Sequence, residues 1–315
     1  MTQGYRYAKG SAKNILSGIR QYLFFTLFFL TPILPTSVDT LVCYMEFMSQ
    51  TSSFSHLKHL LFSVKYLHQA YDLKFPEDSF QLDTTLQGLK RKLAGVPFQV
   101  LPITPRVLRG MHKFLDMRKT EDLALWCAYL ITFYGLLRKK NSVPEGLKFD
   151  PTKVLTRQNF TIDLVDNRIY MYIGFTKTNQ FGARDLVLPI PGNRDPVLDP
   201  VRHLHALFER VDCPPNAPAF SFKWNSFINY RIFTTKLKQL LTKAGFPADQ
   251  YSGHSFRRGG ASFLHACGGT SLMVQAAGDW SSNCFTRYLF LSTEERLKAQ
   301  FLMTREINSS IPLDS

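Results

Sequence analysis

The segment GHSFRRGGASF, residues 253–263, holds the densest chemical signal in the chain. His254 and Arg257 stand three apart, so a single helical turn carries them on one side, where an imidazole and a guanidinium can converge on one anion. Arg258 points away from that side, toward solvent or a polyanionic backbone. Gly253 before the pair and Gly259, Gly260, Ala261 and Ser262 behind it permit close approach of another stretch of backbone. A basic helix start also arises for purely structural reasons, so the segment gains its meaning from what surrounds it.

Downstream lies GDWSSNCFTRYLF, residues 278–290. Gly278 ends one helix, and Ser281 or Ser282 can cap the next. Trp280 can then offer its indole N–H to a phosphate oxygen, and Tyr288 falls about two turns into the capped helix. Taken alone, a tyrosine in an apolar helix is a core residue. Upstream, the apolar positions Leu123, Trp126, Cys127, Leu130, Phe133, Tyr134 and Leu137 predict a buried helix over residues 121–137, with Arg138 directly after it. A guanidinium held there can clamp two phosphate oxygens, although a basic residue at a helix end also suits the macrodipole. Between these lie two alternating runs, NRIYMYIGF (167–175) and DLVLP (185–189), which predict a strand pair. Lys177 sits in their polar turn, placed to reach a groove and donate a proton, or simply solvated.

Residues 1–93 carry helical periodicity throughout, as in Leu57, Leu60, Leu61, Val64 and Leu67. Lys58, Lys65, Lys90, Arg91 and Lys92 supply basic faces to these helices. AGVPFQVLPITP, residues 94–105, has too many prolines for a continuous element, so residues 94–104 are expected to link a helical domain (1–93) to a mixed domain (105–315). The expected class is mostly α with a small antiparallel β-sheet in the second domain, an α+β fold. The 38 Lys plus Arg against 24 Asp plus Glu give a net +14, which points to a polyanion such as nucleic acid, with solubility as the plain alternative. The five scattered cysteines form no zinc pattern and read as reduced, intracellular thiols. The apolar run Tyr22–Leu34 spans about 13 residues against the ~20 of a membrane span, and is expected to be a buried helix.

In chain order, Arg138, Lys177, His254, Arg257, Trp280 and Tyr288 resemble the set of the tyrosine recombinase/phage integrase family. The wording of FYGLLRKKN, TKTNQFG, HSFRRGGASF and GDWSSNCFTRYL is most similar to the eukaryotic mobile-element branch of Crypton-, Ngaro- and DIRS-type recombinases. The resemblance covers residues 105–295 closely and the first domain more loosely. It implies a SAM-like helical domain and an integrase-like catalytic domain clamping double-stranded DNA in the nucleus. Tyr288 would be the nucleophile forming a 3′-phosphotyrosine. Arg138 and Arg257 would hold the non-bridging oxygens, with Trp280 completing the cage. His254 would act as hydrogen-bond donor and general acid or base, and Lys177 would protonate the leaving 5′-oxygen. The resemblance implies neither metal, ATP, other cofactor nor small-molecule substrate, and a working assembly of four copies in which the segment 289–302 docks onto a neighbour. Lys58, Lys65, Lys90, Arg91, Lys92 and Arg258 are the candidate DNA contacts outside the catalytic set.

One position departs from the family. Three residues after the first arginine an acidic side chain is usual, and this chain has Asn141. Two other functions fit the same residues: a type IB topoisomerase-like enzyme, and a domesticated, non-cutting DNA-binding protein derived from a mobile element. A binding role alone would not require a tyrosine at position 288.

Overall fold

A computed structural model describes residues 9–94, 100–174, 186–280 and 282–289. The chain divides into two compact units, Met1–Phe98 and Gln99–Ser315.

The first unit is built from α1 (Lys9–Phe28), α2 (Val38–Ser49), α3 (Phe54–Ala70) and α4 (Phe80–Lys92). Serines at 37, 53 and 79 start the last three: each hydroxyl accepts from a backbone N–H three residues on, at Thr40, His56 and Leu82. Leu57, Leu60 and Val64 recur at helical spacing and meet Tyr22, Phe25, Leu41, Tyr44 and Met45 in the core. The stretch 22–34 departs from its expected form. Its helix stops at Phe28, and only Tyr22, Phe25 and Thr26 of that helix's last turns are buried, while Phe24, Leu27 and Phe28 are exposed. It is an edge helix with one buried face. Among the described residues no helix is long and apolar enough to cross a membrane. Lys58, Lys90, Arg91 and Lys92 are exposed, whereas Lys65 is half-buried and ion-paired with Glu77.

The second unit is organised around α6 (Thr120–Tyr134), in which every residue from Leu123 to Phe133 is buried. A helix apolar on all sides must be wrapped on all sides. α8 (Pro200–Arg210) and α10 (His254–Ala266) pack on it, and α5 (Pro105–His112) and α9 (Tyr230–Lys243) complete the layer. α5 has Thr104 as its N-cap and Pro105 in its first turn, where the missing N–H costs nothing. The stretch expected to link the domains is in part built into this unit, since Leu101 N–H donates to the Gln250 carbonyl (2.8 Å) and Ile103 N–H to that of Ser255 (2.9 Å).

The larger sheet is three-stranded and antiparallel, in the order β1 (Phe160–Asp163), β2 (Arg168–Ile173), β3 (Leu186–Pro191), with Met171 facing Phe160 and Leu188, and a separate small antiparallel pair joins β4 (Ser221–Lys223) to β5 (Ser226–Phe227). Ile169, Met171 and Ile173 alternate into the core. β2 and β3 are the expected pair; β1 is an addition. The turn holding Lys177 lies outside the described residues.

The small residues behind His254 and Arg257 do bring backbones together. A Cβ on Gly259 would lie 1.8 Å from the Ile103 carbonyl oxygen, and one on Gly260 2.3 Å from that of Phe133. α10 therefore seats directly against α6 and the residues leading to α5. Gly259→Ala should destabilise the chain by about 3 kcal/mol through overpacking. Gly88→Ala, in exposed α4 with nothing within 4 Å of the new methyl, should be neutral or slightly stabilising. Thermal melts of the two variants check this, and equal melting points would count against the close seating of α10.

Candidate active site

Three breaks in helical structure place the candidate groups. α6 ends at Tyr134 rather than at Leu137 as expected, because Leu136 turns into the left-handed region (φ 47°). Arg138 is then the residue before α7 (Lys139–Ser142), with extended backbone. It thus precedes a helix start and is no cap on the dipole of α6. The second break is the start of α10, where His254 is the first residue and Arg257 follows one turn later. The third follows α11 (Ser271–Ala277). The chain passes through Gly278, takes a left-handed step at Asp279 (φ 49°), and sets down Trp280. A Cβ on Gly278 would lie 1.6 Å from the Trp280 ring, so only glycine admits this fold-back. A short 3₁₀ segment, Asn283–Tyr288, then ends at Tyr288. Ser282 precedes it without a side-chain capping bond, contrary to expectation, and Ser281 lies outside the described residues.

Arg257 is the centre of the arrangement, 2% exposed. Its guanidinium donates to the carbonyl of Leu136 and, at 2.7 Å, to that of Gly278. It lies 3.8 Å above the centroid of the Trp280 ring. Burial, reinforced by the charge of Arg138, pushes its pKa down to about 9, against the opposing pull of Tyr288 and Asp279. Arg138, Asn141, Arg257 and Asp279 line one cavity with Leu136 and Gly278.

Tyr288 is half-buried, with its ring 5.3 Å from that of Trp280 and 5.2 Å from that of His254. Its hydroxyl is 3.2 Å from His254 Nε2. Partial desolvation, then the charges of Arg257, Lys139 and Arg138, lower the His254 pKa although one side of the ring stays open to solvent. A neutral imidazole with an acceptor nitrogen toward Tyr288 can take the phenol's proton. The structure therefore brings together Arg138, His254, Arg257, Trp280 and Tyr288 from segments up to 150 residues apart (138 to 288).

Arg258 does not meet its expectation. It is 7% exposed, and burial lowers its pKa, so it is not offered to DNA or solvent. Sequence reasoning also passed over two neighbours of the site. Lys139, beside Arg138 in the sequence, lies over the Tyr230 ring at 4.7 Å and acts on His254 by its charge. Asp279 was signalled only by standing next to Trp280. Among the described residues no group of three His, Cys, Asp or Glu side chains could hold a metal ion.

No family model and no curated protein matches the chain. Solved structures do. The XerH site-specific recombinase bound to palindromic difH substrate in a post-cleavage complex is 12% identical, with a TM-score of 0.55, 84% of this chain and 69% of that one being covered. XerH in its pre-cleavage complex with difH gives 13% and 0.55, with 90% and 79% covered. The Tn1549 transposon integrase in complex with circular intermediate DNA gives 15% and 0.53, with 86% of each chain covered.

The chain has the recombinase–integrase fold. Within this fold the paired His254 and Tyr288 make a measurable prediction. The folded chain holds His254 below the 6.5 of an ordinary imidazole, so as the pH falls the unfolded chain takes up the proton first. The stability owed to the neutral ring is full above pH 6.5 and is lost as the pH falls below it. An NMR titration of the His254 ring should give a midpoint under 6.5, and His254→Gln should flatten the acid side of the stability profile. A midpoint at or above 6.5 would contradict the assigned environment.

Proposed function

We propose that the protein is a site-specific DNA recombinase that cuts and rejoins double-stranded DNA through a 3′-phosphotyrosine at Tyr288. The observation that carries this reading is the phenol of Tyr288 standing 3.2 Å from a neutral-leaning imidazole, beside a buried guanidinium stacked on Trp280. The fold it shares with XerH and the Tn1549 integrase supports it.

In the first step the Tyr288 oxygen bonds to the scissile phosphorus as its proton passes to His254, and the bond from phosphorus to the 5′-oxygen breaks. Arg138 and Arg257 bind the two non-bridging oxygens, where charge grows in the pentavalent transition state. The leaving 5′-oxygen takes its proton from Lys177, the role that the family resemblance assigns to that residue. In the second step a 5′-hydroxyl attacks the phosphotyrosine and returns the phenol. The number of phosphoester bonds is conserved, so rejoining requires no ATP. The chemistry uses cationic side chains in place of a metal ion. The segment wording that resembles Crypton-, Ngaro- and DIRS-type recombinases supports a mobile-element origin and action in the nucleus. Four copies on two DNA sites form the assembly we propose, with the first domain, residues 1–93, as DNA-binding domain and Lys58, Lys90, Arg91 and Lys92 as its exposed phosphate contacts.

Incubation with a nicked suicide substrate should yield a covalent protein–DNA adduct with the wild type and none with Tyr288→Phe. An adduct that persists in the Phe variant removes Tyr288 from the nucleophile's role. Arg138→Ala, and Arg257→Lys, which keeps the charge but not the planar fork, should each slow cleavage at least ~10²-fold. Gel-shift affinity should change little, since many other cations share the backbone contacts. Parallel loss of cleavage and affinity would contradict that division of labour.

A further inference from the structure

We propose that Asp279 is a positioning residue, its carboxylate being the counter-charge that lets the guanidiniums of Arg138 and Arg257 share one cavity. Its part in phosphate chemistry rests on the function proposed above; its electrostatic effect within the cavity does not.

Two like charges lining a partly desolvated cavity repel one another far more than they would in water. Arg257 is almost wholly buried, and its guanidinium donates to the neutral carbonyls of Leu136 and Gly278, with the phenol of Tyr288 as a further hydrogen-bond partner. Of the described residues lining the cavity, Asp279 is the acidic one, and it is only 6% exposed. A carboxylate at that depth is retained where cations compensate it. The backbone carries it there by an uncommon step. Asp279 has φ 49°, a region that Asn and Asp enter more readily than other side-chain-bearing residues, and its N–H is held by the Ala276 carbonyl at 3.2 Å. The groups acting on Arg257 come from separate elements: Arg138 from the start of α7, His254 from α10 itself, Tyr288 from the 3₁₀ segment and Asp279 from the turn after α11. Arg138 opposes the charged guanidinium, while the phenol of Tyr288 and then the carboxylate of Asp279 favour it.

The alternative is a turn residue chosen for its backbone alone. Asn is equally suited to a left-handed step, so Asp279→Asn removes the charge and keeps the turn. Asn141 lines the same cavity and is 9% exposed, so Asn141→Asp puts a carboxylate back from another element.

The test is thermal melting of the full chain at low salt, without DNA. Asp279→Asn should lower the melting point by roughly 5 °C. In an Arg138→Gln background, with one repelling charge gone, the same substitution should cost less than half as much. A drop of half or more its original size in that background, or no drop in the wild-type chain, overturns the proposal. Should Asp279→Asn fail to fold, Asn141→Asp/Asp279→Asn decides: a folded protein supports the counter-charge, and an unfolded one overturns it. Absence of a covalent adduct with wild-type protein would overturn the proposed function and leave this comparison standing.

Discussion

The guanidinium of Arg257 is buried where a charge is expensive, and the fold around it is arranged to make that burial tolerable. Two carbonyls, from Leu136 and Gly278, accept its hydrogen bonds, and the face of Trp280 lies beneath it. Those partners come from two connections far apart in sequence, the turn after α6 and the turn after α11. One side chain thereby ties three segments to a common point. It can do so because Gly259 and Gly260 let α10 sit against neighbouring backbone, which brings Arg257 within reach of the carbonyl at Leu136. Packing at the glycines and hydrogen bonding at the arginine depend on one another.

The electrostatic character of the site follows from the same enclosure. Desolvation, reinforced by the charges of Arg257, Lys139 and Arg138, lowers the His254 pKa and so favours the neutral imidazole, the form that can accept a proton. A low-dielectric setting strengthens the pull of those cations on any phosphate that enters. It also raises the cost of holding them together without one, which is where a buried carboxylate acquires a purpose. The phenol of Tyr288 lies at the meeting of these effects, against Trp280 on one side and His254 on the other.

Much of this was legible in the residues. His254 and Arg257 converge because three-residue spacing on a helix is a local rule, and Trp280 and Tyr288 follow from a glycine stop and the short helical segment after it. What escaped was decided by tertiary structure. The end of α6 could not be read because Leu136, an ordinary helix former, adopts a left-handed turn there. Helical spacing gives Arg258 an outward face, but from Ser255 to Ala261 every residue of α10 is buried, so that turn has no solvent side to offer it. The run 22–34 reads as a buried helix because composition cannot tell a core helix from an edge helix that leaves Phe24, Leu27 and Phe28 exposed. β1 is four residues long, FTID, too short to announce itself by alternation.

The most direct test is to locate the covalent bond chemically. The protein would be trapped on cleaved DNA, the DNA trimmed by nuclease, and the digested peptides weighed by mass spectrometry. The nucleotide remnant should appear on the phenolic oxygen of Tyr288. Cleaved DNA with the remnant on any other residue, or with no remnant on protein at all, would contradict the account.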